Sequence, residues 1–235
     1  MVWRGPAISE ESLRVFYNFV KKKRVFFTIM SNKLIKKVAL LPGHASYAEG
    51  GVVCAGRFKG WGENRLARYF LPRLADELRG LGYDVVCTSR EEAGGSTPSY
   101  SAKAANAAGV DLALEFHFNS CGHATGSEVL YWGYNKGTGK AFAETLGECL
   151  ACKLGVRHRG ALSCYEDDER HPGERCTDNG WAAFNNSRMP FFMIEPCFAG
   201  SNPEDAEKLC AAVAAPDWEV WLARAIDGAI GKAYM

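Results

Sequence analysis

Four residues of this 235-residue chain have the types and settings needed to hold a cation and move a proton: His44, Glu63, His117 and Glu195. Glu195 closes the apolar run 191–194 and is followed at once by Pro196, so its carboxylate is expected at the carboxyl end of a buried strand. His117 has a similar setting, with Leu112, Ala113 and Leu114 leading into it and Asn119 and Ser120 opening the loop beyond. His44 comes just after the apolar run 38–41 and a Pro-Gly turn. Three strands thus deliver chemistry-bearing groups to one sheet edge, which is where open α/β sheets carry their sites. A catalytic zinc takes about three protein ligands from His, Glu, Asp or Cys and keeps one position for water. His44 and His117 are the nitrogen candidates. Glu63 is the best oxygen candidate, because it follows Gly62 and precedes the periodic set Leu66, Phe70, Leu74 and Leu78, which sets it in a first helical turn; Glu49 is the alternative. A strand-end histidine is more often a structural hydrogen-bonding residue, and a first-turn glutamate more often just complements the helix dipole. It is their combination with Glu195 that points to catalysis.

The elements that must position these groups alternate. Strands are expected at 37–41, 83–88, 111–117, 127–132 and 190–195, and helices at 64–80, 100–108, 138–154, 204–212 and 217–231. This alternation predicts a three-layer α/β/α domain on a mixed, mainly parallel sheet. The loop before 127 allows that strand to run antiparallel. Pro72 predicts a kink or a later start for the helix at 64–80, since an internal proline costs roughly 3 kcal/mol. Residues 156–189 read as a long irregular excursion, and such loops are usually functional.

Length and apolar content suit one catalytic domain over 37–235, preceded by an extension over 1–36. Residues 1–37 carry nine Lys or Arg against Glu10 and Glu11, a balance of +7, and leave about −6 for the rest. Leu13, Phe16, Tyr17 and Val20 recur at helical spacing there, a basic amphipathic pattern suited to an anionic membrane or wall polymer. Nothing in the chain suggests nucleic-acid binding. The apolar stretch after KKKR is too short for a signal-peptide core, so synthesis in the cytoplasm without Sec-type export is expected. Nine scattered cysteines also fit a reducing compartment.

The segments LPGHAS, GENRLARYF with RLADELRGLGYDVVCTSR, AKAANAAGVDLALEFHFNS, GSEVLYW and IEPCFAGSNPEDA occur in that order. Together they resemble the zinc-dependent N-acetylmuramoyl-L-alanine amidases of phage endolysins and bacterial cell-wall hydrolases, over residues 37 to about 210. The resemblance implies that His44, Glu63 and His117 bind zinc and that Glu195 is the catalytic carboxylate. It implies peptidoglycan as substrate, cut at the amide between the lactyl group of N-acetylmuramic acid and L-alanine, by an endolysin-like enzyme that reaches the wall after release. One departure stands out. The first motif usually opens with an acidic residue where this chain has Leu41, so a carboxylate that would orient the histidine is missing there. Two other functions compete with this one: a peptidoglycan-binding homologue without turnover, and a zinc peptidase acting on stem peptides.

Further residues are weighed against duller roles. Arg90 and Arg159 have the planar fork that suits stem-peptide carboxylates. Asn119 either hydrogen-bonds substrate or holds the loop after His117. Cys197 is an imaginable nucleophile beside His117, although its flanking sequence argues against this. Cys149 and Cys152 read as buried helix cysteines rather than a metal pair. His123, His158 and His171 read as surface residues, and Trp61, Tyr131 and Trp132 as packing rather than sugar stacking.

Overall fold

The computed structural model describes residues 34–53, 55–165, 175–177 and 179–235. The amphipathic segment expected within 1–36 lies outside the described residues, as does His171. Strands β1 (Lys37–Pro42), β4 (Asp84–Cys87), β5 (Leu112–Phe116), β6 (Ser127–Trp132), β7 (His158–Cys164), β8 (Cys176–Thr177) and β9 (Phe191–Glu195) form one sheet in the order β4-β1-β5-β9-β6-β7-β8. A two-stranded antiparallel ribbon, β2 (Val52–Val53) with β3 (Trp61–Gly62), stands apart. Strands β4, β1, β5 and β9 are parallel; β6 runs antiparallel to β9, and β7 and β8 follow β6. The sheet is therefore mixed and mostly parallel. One edge collects the carboxyl ends of β1, β5 and β9 and the amino end of β6.

Helices cover both faces because the strands are apolar on both sides, as parallel strands buried under helices must be. Val38, Leu40, Leu112, Leu114, Phe192 and Ile194 pack toward α1 (Glu63–Gly80), α3 (Thr138–Leu154), α5 (Pro203–Ala214) and α6 (Trp218–Tyr234). Their strand neighbours Ala39, Leu41, Ala113, Phe191 and Met193 pack toward α2 (Pro98–Ala108) and α4 (Trp181–Asn186). Helix α1 turns Leu66, Phe70, Leu74 and Leu78 inward, and Phe70 meets Phe116 and Trp218 edge-on at 5.5 and 6.3 Å. Each such fully buried side chain contributes about 1.5–3 kcal/mol.

Two expectations need correction. Helix α1 starts at Glu63, well ahead of Pro72, so the later start does not occur; both Pro72 and Arg68, whose carbonyl loses its partner, lie on the exposed side where water can satisfy it. The described residues of the excursion at 156–189 are not all irregular, since they include β7, β8 and α4. Its first part is β7, paired with β6 along Val129 to Trp132, and its last part is α4, which packs against α2 and the sheet. The run HRGALSC was passed over because Arg159 and Gly160 interrupt its apolar pattern.

Candidate active site

The ends of β1 and β5 and the start of α1 converge on one point. His44 Nε2 lies 3.3 Å from Glu63 Oε2, and His117 Nδ1 lies 3.4 Å from the same oxygen. The two imidazoles meet edge-on with ring centres 4.9 Å apart. One donor atom from each of the three residues falls within 4.8 Å of the others. Ligands of a tetrahedral ion at about 2.0–2.1 Å stand roughly 3.3–3.4 Å apart, which is the separation found at Glu63. The arrangement is compatible with a metal centre.

Much of this cup is backbone. A Cβ at Gly43 would lie 2.6 Å from His117 Nδ1, one at Gly50 2.6 Å from His44 Nε2, and one at Gly51 2.8 Å from Glu63 Oε1. Each candidate ligand thus rests against a glycine. His44 itself has φ 59°, and it is the one non-glycine residue with positive φ among the described residues. That conformation costs about 1–2 kcal/mol. It is pinned by Asn64, whose amide donates to the carbonyls of Gly43 and His44 at 3.0 and 3.2 Å, and by the Ala45–Ala48 bridge. Glu63 is steadied in turn by the Gly51 N–H on Oε1 at 2.8 Å and the Phe118 N–H on Oε2 at 3.0 Å. Gly43→Ala is expected to lower metal affinity at least tenfold in a chelator competition. The added methyl would also lie 2.7 Å from the Phe116 carbonyl oxygen, which accepts the Gly43 N–H and cannot move aside. The denaturation midpoint should report an overpacking cost of about 1–3 kcal/mol.

Glu195 ends β9 almost fully buried, with Oε2 accepting the Asn119 N–H at 2.7 Å. Its neighbour across the antiparallel ladder is Glu128, also buried. Burial first, with the nearby charges of Glu63 and Glu128, raises the Glu195 carboxyl above its ordinary range against the pull of His117. Glu63 is shifted the other way: burial opposes its charge, but hydrogen bonds and charge from His117 and His44 prevail. For His117, burial disfavours the cation, and Glu115, Glu63 and Glu195 outweigh it. Three carboxylates around one imidazole make this edge attractive to a cation.

The loop after β9 is held by the SNPEDA stretch. Asn202 caps α5 through the amides of Glu204 and Asp205, and Pro203 occupies the first turn. Asp205 accepts from the amides of Phe198 and Gly126 and from the Thr125 hydroxyl, tying the loops after β9 and before β6 together. This segment does structural rather than chemical work.

The remaining candidates separate. Arg90 is buried, 3 % exposed, with its guanidinium on Glu115, Ser101 and the Ser96 carbonyl, so it does not face a substrate. Arg159 sits nearer the edge, where its Nε donates to Glu128 at 2.8 Å and Arg175 joins it on the same carboxylate. Asn119 takes the loop-holding role: besides its N–H on Glu195, its amide donates to Glu128 at 2.8 Å. Glu49 braces the start of α1 by accepting the Gly62 N–H. Cys197 is buried beside Asp205, and burial foremost pushes its thiol well up, which leaves no ready thiolate. Cys149 is half-buried and Cys152 exposed, not buried as expected. His123 is exposed, and His158 is half-buried beside Glu144. Tyr131 is buried; Trp132 packs with Phe184, and Trp61 with Phe58 and Tyr69. Sequence reading passed over Glu115, Glu128, Asn64 and the three glycines. Glu115 had a visible signal, since in the strand LEFH it lies two residues before His117 and so on the same face.

A family model described as N-acetylmuramoyl-L-alanine amidase matches residues 38–232. No curated protein matches. Among solved structures, an N-acetylmuramoyl-L-alanine amidase from Clostridium difficile 630 is 20% identical, with a TM-score of 0.59 over 83% of this chain and 95% of that one. The catalytic domain of CwlV, an amidase from Bacillus (Paenibacillus) polymyxa var. colistinus, is 18% identical, with a TM-score of 0.58 over 83% and 96%. The amidase AmiC2 of Nostoc punctiforme is 20% identical, with a TM-score of 0.58 over 84% and 96%. At these identities the likeness establishes the shared fold.

Proposed function

Because the chain belongs to the N-acetylmuramoyl-L-alanine amidase family, and is thereby a peptidoglycan hydrolase, we propose that it works with one zinc held by His44, Glu63 and His117 and with Glu195 as its proton carrier. The observation that carries this reading is the meeting of His44 Nε2, Glu63 Oε2 and His117 Nδ1 at the edge where Glu195 ends its strand. Two imidazoles and one carboxylate are a donor set typical of catalytic zinc. When bound, zinc would supply Lewis-acid polarisation of the scissile carbonyl and acidify the attacking water.

The rest falls to the chain. Glu195, raised above the ordinary carboxylate range, accepts the proton of the attacking water and passes it to the departing amine nitrogen of L-alanine. The Asn119 N–H holds one of its oxygens, which leaves the other for that transfer. A rigid floor of glycines and the pinned left-handed turn at His44 keep the donor atoms from rearranging, so positioning costs little at the moment of reaction.

The test is a digest of isolated peptidoglycan with and without a zinc chelator, its products identified by mass spectrometry. Stem peptides beginning at alanine, released only in the presence of zinc, are the expected products. Cuts inside the stem would make the enzyme a peptidase, and binding without release would make it a non-catalytic homologue.

A further inference from the structure

We propose that Glu115 is the residue that fixes His117 for metal binding, through its contact with the far nitrogen of the ring. The inference rests on the zinc reading above. Strand β5 places Glu115 and His117 two residues apart on one face, and Glu115 Oε2 lies 3.5 Å from His117 Nε2 while Nδ1 faces Glu63. Glu115 is fully buried. Its Oε1 is committed to the Ser101 hydroxyl at 2.5 Å and to Arg90 Nε and Nη2 at 2.9 Å, whereas Oε2 is a buried oxygen that makes no hydrogen bond among the described residues and lies within reach of the imidazole Nε2. A carboxylate at Nε2 favours the proton there and so leaves the Nδ1 lone pair for a cation.

Arg90 makes this requirement sharper. Its Nη2 also lies 3.5 Å from His117 Nε2, and a guanidinium can only donate. Alone it would draw the Nε2 lone pair toward itself and send the proton to Nδ1, where it would block the metal. Glu115 neutralises Arg90 with one oxygen and claims the Nε2 proton with the other. The neighbouring strand offers no substitute. Leu41 is the register partner of Glu115 across β1 and lies on the same buried layer, so the position where the first motif usually opens with an acid is apolar here and seals the carboxylate from water.

Glu115 is a positioning residue, and the test must separate that role from a plain ion pair with Arg90. The double variant Arg90→Met/Glu115→Leu removes both charges together, which buried pairs usually tolerate without loss of fold. Zinc alone is titrated into the zinc-free variant and wild-type chains against a chromogenic chelator, with thermal melting as the check on folding. A loss of 10- to 100-fold in zinc affinity at preserved melting is expected, the range typical of partners lying behind a metal ligand. Glu115→Asp supplies a second measurement: it keeps a charge beside Arg90 but draws the carboxylate back from Nε2, and should cost about tenfold in affinity, with kcat at saturating zinc falling more than KM changes. Wild-type affinity in either folded variant overturns the proposal and leaves Glu115 as a partner of Arg90 only. Absence of zinc binding by the wild-type chain would instead remove the metal reading on which it rests.

Discussion

Glu195→Gln is expected to lower kcat by two to four decades while zinc affinity stays within a few-fold of the wild type. The size follows from what general acid-base catalysis usually contributes, 10²- to 10⁴-fold, or about 2.7–5.5 kcal/mol of barrier. Glutamine keeps the shape of the side chain and can still accept the Asn119 N–H through its carbonyl oxygen, so the local structure should persist. It cannot take a proton from water. KM for peptidoglycan fragments should change little, because the group acts on the transition state rather than on substrate binding. The measurement is steady-state hydrolysis of a defined muropeptide with zinc binding followed in parallel. Full activity would remove Glu195 from the mechanism, and loss of zinc along with activity would make it part of the metal site.

The second large effect concerns the metal. Zinc at about a thousandfold over its Kd stabilises a folded chain by roughly 4 kcal/mol, or about 8–16 °C in melting temperature for a domain of this size. His44→Asn should abolish that rise and cut activity about a thousandfold or more, since the water then keeps its ordinary reluctance to ionise. His44 is the cleanest of the three positions to change. Its side chain is 34% exposed, so removing the ring opens no deep cavity. Asparagine also tolerates the left-handed backbone that His44 adopts. Differential scanning calorimetry with and without added zinc reads the shift, and a wild-type rise in the variant would exclude His44 as a ligand.

Most of the fold could be read from residue patterns, because β1, β5 and β9 are short apolar runs ended by turn residues, and α1, α3 and α6 carry clear helical spacing. Strand β7 escaped because two of its seven residues, Arg159 and Gly160, contradict a strand reading; its place was decided by pairing with β6, which is not local information. The site divided along the same line. His44, Glu63 and His117 were visible as strand-end and helix-start residues, and the structure brings them to one point. The fate of Arg90 was invisible, since an arginine that reaches a solvent-exposed carboxylate and one buried against Glu115 look alike in one dimension. The glycines under the three side chains were equally silent, because their purpose lies in contacts with residues 6 to 74 positions away.

Strand β9 lies between β5 and β6 although it is the last strand of the chain. This order has a consequence for biosynthesis. A nascent polypeptide stopped before Phe191 contains His44, Glu63 and His117, yet it lacks Glu195 and the Ile194 carbonyl that receives the His117 N–H. In such a fragment β5 and β6 keep open edges with nothing between them, a state prone to aggregate rather than to act. Glu195 therefore joins the other three side chains only once the strand that fills the middle of the sheet has been made.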